Sequence, residues 1–168
     1  MMRVRDLGLV AAALALVADQ GSKLFMLYVA GFAQMSAADA IPVLPFFNLI
    51  MVWNPGISYG LFPASSWLGT AVLVVFSLGA VGGLAYWLWG MTSRSLAIGV
   101  GLVIGGALGN LIDRLIYGRV ADFFHFYGFG YDWYVFNVAD VAITFGAIAI
   151  IYEVLKPEQA AGTGESGV

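Results

Sequence analysis

Leu96-Ala97-Ile98-Gly99-Val100-Gly101-Leu102-Val103-Ile104-Gly105-Gly106-Ala107-Leu108-Gly109-Asn110-Leu111-Ile112-Asp113-Arg114-Leu115-Ile116 is an apolar run that turns polar only near its end. It matches the roughly 20 residues an α-helix needs to cross a bilayer. Gly101, Gly105 and Gly109 recur at every fourth position, with Gly106 and Ala107 beside them. Small residues in that register let a second helix approach the backbone closely, so the stripe reads first as packing. Asn110 follows on nearly the same face and Arg114 lies one turn beyond it. Asp113 points about 100° away from Arg114 and is expected to pair with a residue of a neighbouring helix.

Three more runs flank this one, giving spans at about 7–32, 67–89, 96–116 and 134–155. The chain is 61% hydrophobic and only 10% charged, with a mean hydropathy of +0.91. These values exclude an ordinary soluble domain. The expected fold is an all-α membrane protein of four transmembrane helices in one domain, residues 1–157, followed by a disordered cytoplasmic tail, 158–168. The first run, with Arg3 and Arg5 before it and Ala13-Leu14-Ala15 inside it, has the outline of a cleavable leader. It nevertheless resumes after Asp19, Gln20 and Lys23 as Leu24-Phe25-Met26-Leu27-Tyr28-Val29, which makes it a full span with a polar face. Asp19 and Lys23 are one turn apart, so each can offset the other's charge.

A net charge of −3 and seven scattered Lys and Arg cannot form the basic stripe a nucleic acid needs. Zero cysteines exclude disulfides, a thiolate nucleophile and thiolate-held metal. The one histidine, His125, excludes a His-rich metal site. Arg3, Arg5, Arg94 and Lys156 fall on one side of a four-span chain, which by the positive-inside rule makes both termini cytoplasmic. Residues 33–66 and 117–133 then face outward. Phe46 to Trp53 has strand-like composition and ends in the turn signal Asn54-Pro55-Gly56, so a short strand or hairpin is expected there. The aromatic segment Phe123 to Trp133 is expected in the headgroup layer.

Asp122, in Val120-Ala121-Asp122-Phe123, and Asp140, in Phe136-Asn137-Val138-Ala139-Asp140, lie among apolar residues. A charge at mid-membrane costs about 2.5–3.5 kcal/mol on translocon scales, so carboxylates kept there are functional-site candidates. The bland reading is a pair of interfacial carboxylates bonded to loop amides or an arginine. It suits both poorly, because Asn54, Asn110, Asp113, Arg114 and Asn137 fall at the same predicted face. Asn137, Asp140 and Thr144 repeat at i, i+3 and i+7. Two adjacent carboxylates titrate as one unit, one keeping a proton while the other is ionised. Such a pair can activate water against a carbonyl and protonate the leaving amine.

Taken together and in order, Asp19-Gln20-x-x-Lys23, Asn54-Pro55-Gly56-Ile57-Ser58-Tyr59-Gly60, Gly105 through Arg114, Val120 through Phe123 and Phe136 through Asp140 resemble the bacterial lipoprotein signal peptidases, signal peptidase II, over essentially the whole chain. The resemblance implies an aspartic endopeptidase of the bacterial inner membrane that cuts prolipoproteins immediately before a diacylglyceryl-modified cysteine. It implies Asp122 and Asp140 as the catalytic pair, with Asn54, Gly56, Asn110, Arg114 and Asn137 ordering the site and Asp19 and Lys23 supporting it from the first helix. It also implies a small extracytoplasmic β cradle with a short interfacial helix, and a site near the periplasmic face. No cofactor and no metal are expected; the partners are lipid-modified prolipoproteins and membrane lipid, and a monomer is expected.

Two rival chemistries compete. Gly56-Ile57-Ser58-Tyr59-Gly60 fits G-x-S-x-G, but that elbow needs a strand leading into a helix of an α/β sheet. Ser22 beside Lys23 makes a still weaker Ser/Lys dyad, since adjacent helical residues diverge. A transporter would be expected to show internal repeats or helices broken near mid-membrane, and the four spans show neither.

Overall fold

The computed structural model describes residues 2–36, 38–56 and 67–156. Four helices among them are long and apolar enough to cross a membrane. Helix α1 covers Val4–Leu24 and continues through a wider π turn at Phe25–Val29. Helices α2, α3 and α4 cover Trp67–Trp89, Arg94–Tyr117 and Val138–Leu155. Four strands, β1 Ile41–Leu44, β2 Phe47–Asn54, β3 Val120–Gly128 and β4 Tyr131–Phe136, form an antiparallel sheet in the order β1-β2-β3-β4.

Helix α3 is the hub, packed between α1 and α4, while α2 leans on α3 and only lightly on α1. Its glycines explain this. A methyl built on Gly101 would overlap the backbone of Gly8, and one on Gly105 the backbone of Ala12, so these face α1. Gly99 and Gly106 stand against Gly146 and Ala139 of α4. The stripe is therefore packing, on two faces instead of one. Gly105→Leu should separate α1 from α3 and lower stability by about 1–3 kcal/mol, the usual cost of overpacking. Thermal unfolding in detergent checks this; an unchanged midpoint would mean the helices do not depend on the contact.

The basic residues gather as the topology requires. Arg3 and Arg5 precede or begin α1, Arg94 begins α3 and Lys156 follows α4, all at one end of the bundle. Arg5 lies over the Trp89 ring at 5.2 Å, and Ser93 and Ser95 hold Glu153 at 2.5 and 2.8 Å. The sheet grows from the opposite end. Gly118, at φ +72, closes α3 by donating to the Arg114 carbonyl and turns the chain directly into β3.

The sheet is larger than a hairpin, and the sequence-based boundaries change accordingly. The aromatic segment expected only as a headgroup layer is the β3–β4 hairpin, with Phe129 and Gly130 in the left-handed region at its turn. Tyr134 to Phe136 are strand, so the fourth span starts at Val138 instead of 134. Asn137 stops the strand and caps the helix. Its side chain accepts from the Asp140 N–H, and the Asp140 carboxylate accepts from the Asn137 N–H, a reciprocal capping box. Beyond the spans, the described residues hold one further helical turn, Phe32–Gln34. The expected disordered tail, and Ser58 of the rival serine motif, lie outside the described residues.

Candidate active site

Asp122 and Asp140 reach one place from different elements. In the β2–β3 register Val52 faces Asp122 and Asn54 faces Val120. Asn54 and Asp122 are thus diagonal neighbours on one face of the pleat. The Asn54 amide donates to Asp122 Oδ2 at 3.0 Å and to the Tyr134 hydroxyl at 2.6 Å, while its Oδ1 accepts from the Gly56 N–H at 3.0 Å. Asp140 comes from the first turn of α4, where the N–H ends of the peptide dipoles favour negative charge.

Asn137 joins the two carboxylates. Its Nδ2 donates to Asp122 Oδ1 at 2.6 Å and its backbone N–H to Asp140 Oδ2 at 3.2 Å. Asn110 Nδ2 donates to Asp140 Oδ1 at 3.1 Å, and Asn110 Oδ1 accepts from Asn137 at 3.2 Å. Each carboxylate therefore receives two N–H donors. Asp122 is 1% exposed; burial first, and then the nearby Asp140 charge, push its carboxyl up to about 7 against the pull of Asn54 and Asn137. A carboxyl held there can both carry and release a proton near neutral pH, which is what a general acid needs.

Below the pair lies a second polar cluster. Lys23, 2% exposed, meets Asp19 Oδ2 and Asp113 Oδ2, each at 2.9 Å, and donates to Asn110 Oδ1 at 3.0 Å. Asp19 Oδ1 accepts from the Ala139 N–H of α4 at 2.9 Å, and Asp113 Oδ2 from the Ala121 N–H of β3 at 3.1 Å. The cluster ties α1, α3, α4 and β3 together directly beneath Asp122 and Asp140. Asp113 thus pairs across helices, as its direction on α3 suggests. Gln20 completes the set, donating to Asp19, Asp113 and the Gly109 carbonyl, each at 3.1 Å.

Arg114 bonds backbone carbonyls. Its Nη1 donates to the Asn110 carbonyl at 3.2 Å and its Nη2 to the Gly56 carbonyl at 3.0 Å, clamping the turn after β2. Its buried Nε has no partner among the described residues. Sequence reasoning missed Tyr134, because it was assigned to a span, and gave Gln20 no role. A strand placing Tyr134 beside Asn54 leaves no local signal in an aromatic run.

Of the rival groups, the Ser22 and Lys23 pair lies among the described residues and does not assemble. Ser22 Oγ donates to the Asp19 carbonyl of its own helix at 2.8 Å, while the Lys23 ammonium is taken by Asp19, Asp113 and Asn110. His125, on β3, lies 3.5 Å from Asp132.

Two cavities of about 360 Å³ meet at Asp140. One is walled by Leu73, Phe76 and Ser77 of α2, Ala107 and Arg114 of α3, and Ile143 of α4. The other is an apolar recess under Trp133, Tyr134 and Phe136 with Val141 and Phe145.

A family model described as signal peptidase (SPase) II matches residues 11–156. The chain is 49% identical over 150 residues to the lipoprotein signal peptidase of Nitrobacter hamburgensis, covering 87% of this chain and 90% of that one. It is 44% identical over 163 residues to the lipoprotein signal peptidase of Methylocella silvestris, covering 97% and 94%. A solved bacterial membrane enzyme, determined in meso at 2.3 Å, superposes with a TM-score of 0.76 at 27% identity, covering 96% of this chain and 93% of that one. A second, at 1.9 Å, gives 0.74 at 29% identity over 89% and 92%. With a family model spanning nearly all of its four helices and sheet, the chain belongs to the signal peptidase II family of multi-pass bacterial membrane aspartic peptidases.

Proposed function

We propose that this enzyme removes signal peptides from prolipoproteins, cutting immediately before a diacylglyceryl-modified cysteine, with Asp122 and Asp140 activating the water. The observation that carries this reading is the pair of carboxylates bridged by Asn137 at the junction of two membrane-level cavities. Asp140, which lines both cavities, takes a proton from water as the water oxygen attacks the scissile carbonyl carbon. Asp122 gives its proton to the carbonyl oxygen. When the tetrahedral intermediate collapses the C–N bond breaks, the proton held by Asp140 passes to the departing cysteine amine, and one hydroxyl of the intermediate returns its proton to Asp122 as the new carboxyl forms. No metal is required, because the carboxylate oxygens are already faced by N–H donors, which would repel a cation. Asn54, Gly56, Asn110, Arg114 and Asn137 order the site.

The signal segment enters from the lipid between α2 and α4, while the acyl chains lie under the aromatic strand β4. The sheet acts as the cradle, with an interfacial helix beside it, on the periplasmic side of the inner membrane. Both termini are then cytoplasmic, the basic end of the bundle facing inward. One domain, residues 1–157, works as a monomer with membrane lipid and prolipoprotein as its partners and no nucleic acid.

Purified protein should cleave a diacylglyceryl-modified prolipoprotein and leave the unmodified precursor essentially intact; equal cleavage of both would remove the lipid from recognition. The rate should also fall as pH rises past neutral. Asp122, raised to about 7, holds its proton below that value and loses it above, and with it the general acid. A kcat/KM profile flat from pH 6 to 9 would contradict this assignment.

A further inference from the structure

We propose that Lys23 is a positioning residue that fixes the direction of the Asn110 amide, so that Asn110 presents N–H and not oxygen to Asp140; this rests on the aspartic-peptidase reading above. Three asparagines face the carboxylates, and an amide is useful there only in one orientation, since its reverse would set oxygen against oxygen. Each has its oxygen tied to a donor that cannot reverse. Asn54 Oδ1 is held by the Gly56 backbone N–H at 3.0 Å, and Asn137 Oδ1 by the Asp140 backbone N–H at 3.1 Å. Among the described residues no backbone group serves Asn110. Its Oδ1 meets the Lys23 ammonium at 3.0 Å and the Asn137 amide at 3.2 Å.

An ammonium has only donors, and a charged donor holds an acceptor about twice as strongly as a neutral one. Asn137 is a weaker guarantor, because it donates the shorter bond, 2.6 Å, to Asp122. Asp19 and Asp113 keep the Lys23 ammonium aimed. Lys23 never meets the substrate, yet it sets the N–H that faces the reacting carboxylate.

The test compares Lys23→Gln with Lys23→Leu, each combined with Asp113→Asn so that the buried cluster keeps its net charge. Gln can still donate to Asn110 Oδ1; Leu cannot. In detergent, at matched thermal midpoints, the Leu variant should lose about 10- to 100-fold in kcat, the equivalent of one hydrogen bond to a charged group, with KM little changed. The Gln variant should recover most of that loss. Equal kcat in two folded variants would overturn the proposal and leave Lys23 as packing only. Should neither fold, Asn110→Asp decides: it keeps an oxygen for Lys23 but puts a second one against Asp140. A folded variant with a loss of about 100-fold or more supports the proposal, and near-normal turnover overturns it. Wild-type protein and Asp122→Asn in the same assay separate the two readings, since an active Asp122→Asn would defeat the aspartic mechanism itself.

Discussion

Asp122→Asn and Asp140→Asn should each lower prolipoprotein cleavage by at least about 10³-fold while the protein stays folded, because general acid and base catalysis are lost together when either carboxyl is replaced. The two fail differently. At position 140 an amide cannot take the proton of the attacking water, although it can still fill the space in the capping box with Asn137. At position 122 an amide brings its own N–H₂ against the donors of Asn54 and Asn137, so one neighbour must rotate. An amide keeps the shape of the carboxyl and one of its acceptor oxygens, so each variant should stay folded. Cleavage within tenfold of wild type by either folded variant would remove that aspartate from the mechanism.

Lys23→Met should have the largest effect on stability. Removing the ammonium leaves Asp19 and Asp113, 0% and 1% exposed, without their shared counter-charge. Breaking a buried ion pair from one side costs about 3–5 kcal/mol. At the usual slope for a chain of this size, that lowers the thermal midpoint by roughly 10 °C. The damage is not local, since Asp19 also holds the start of α4 and Asp113 the start of β3. Adding Asp113→Asn should restore part of the loss. An unchanged midpoint in the single variant would mean that the cluster is not what joins α1 to the site.

The spans were legible because bilayer length and hydropathy impose them regardless of partners, and the glycine stripe because close helix approach admits few alternatives. Asp122 and Asp140 were legible because a carboxylate in apolar surroundings is costly. The pairing of Asp113 across helices followed from its angle on α3. Less legible was the sheet: Phe123 to Tyr127 is nearly all aromatic, so it lacks the polar alternation that marks a strand, and its pairing with β2 links residues that are distant in sequence. The start of α4 was misplaced for the same reason. Tyr134 to Phe136 are as apolar as the helix, and only the reciprocal bonds of Asn137 and Asp140 mark the boundary. Neither Tyr134 nor the anchoring of each asparagine oxygen has a local signature, because both depend on contacts between elements.

The most direct test of the aspartate pair is a single-turnover cleavage assay on a diacylglyceryl-modified prolipoprotein, with the cut identified by mass, comparing wild type, Asp140→Asn and Ser58→Ala. Wild type and Ser58→Ala should both release the signal peptide just before the modified cysteine, and folded Asp140→Asn should release none. Cleavage by Asp140→Asn, or its loss in Ser58→Ala alone, would contradict the account and return the chemistry to a serine nucleophile.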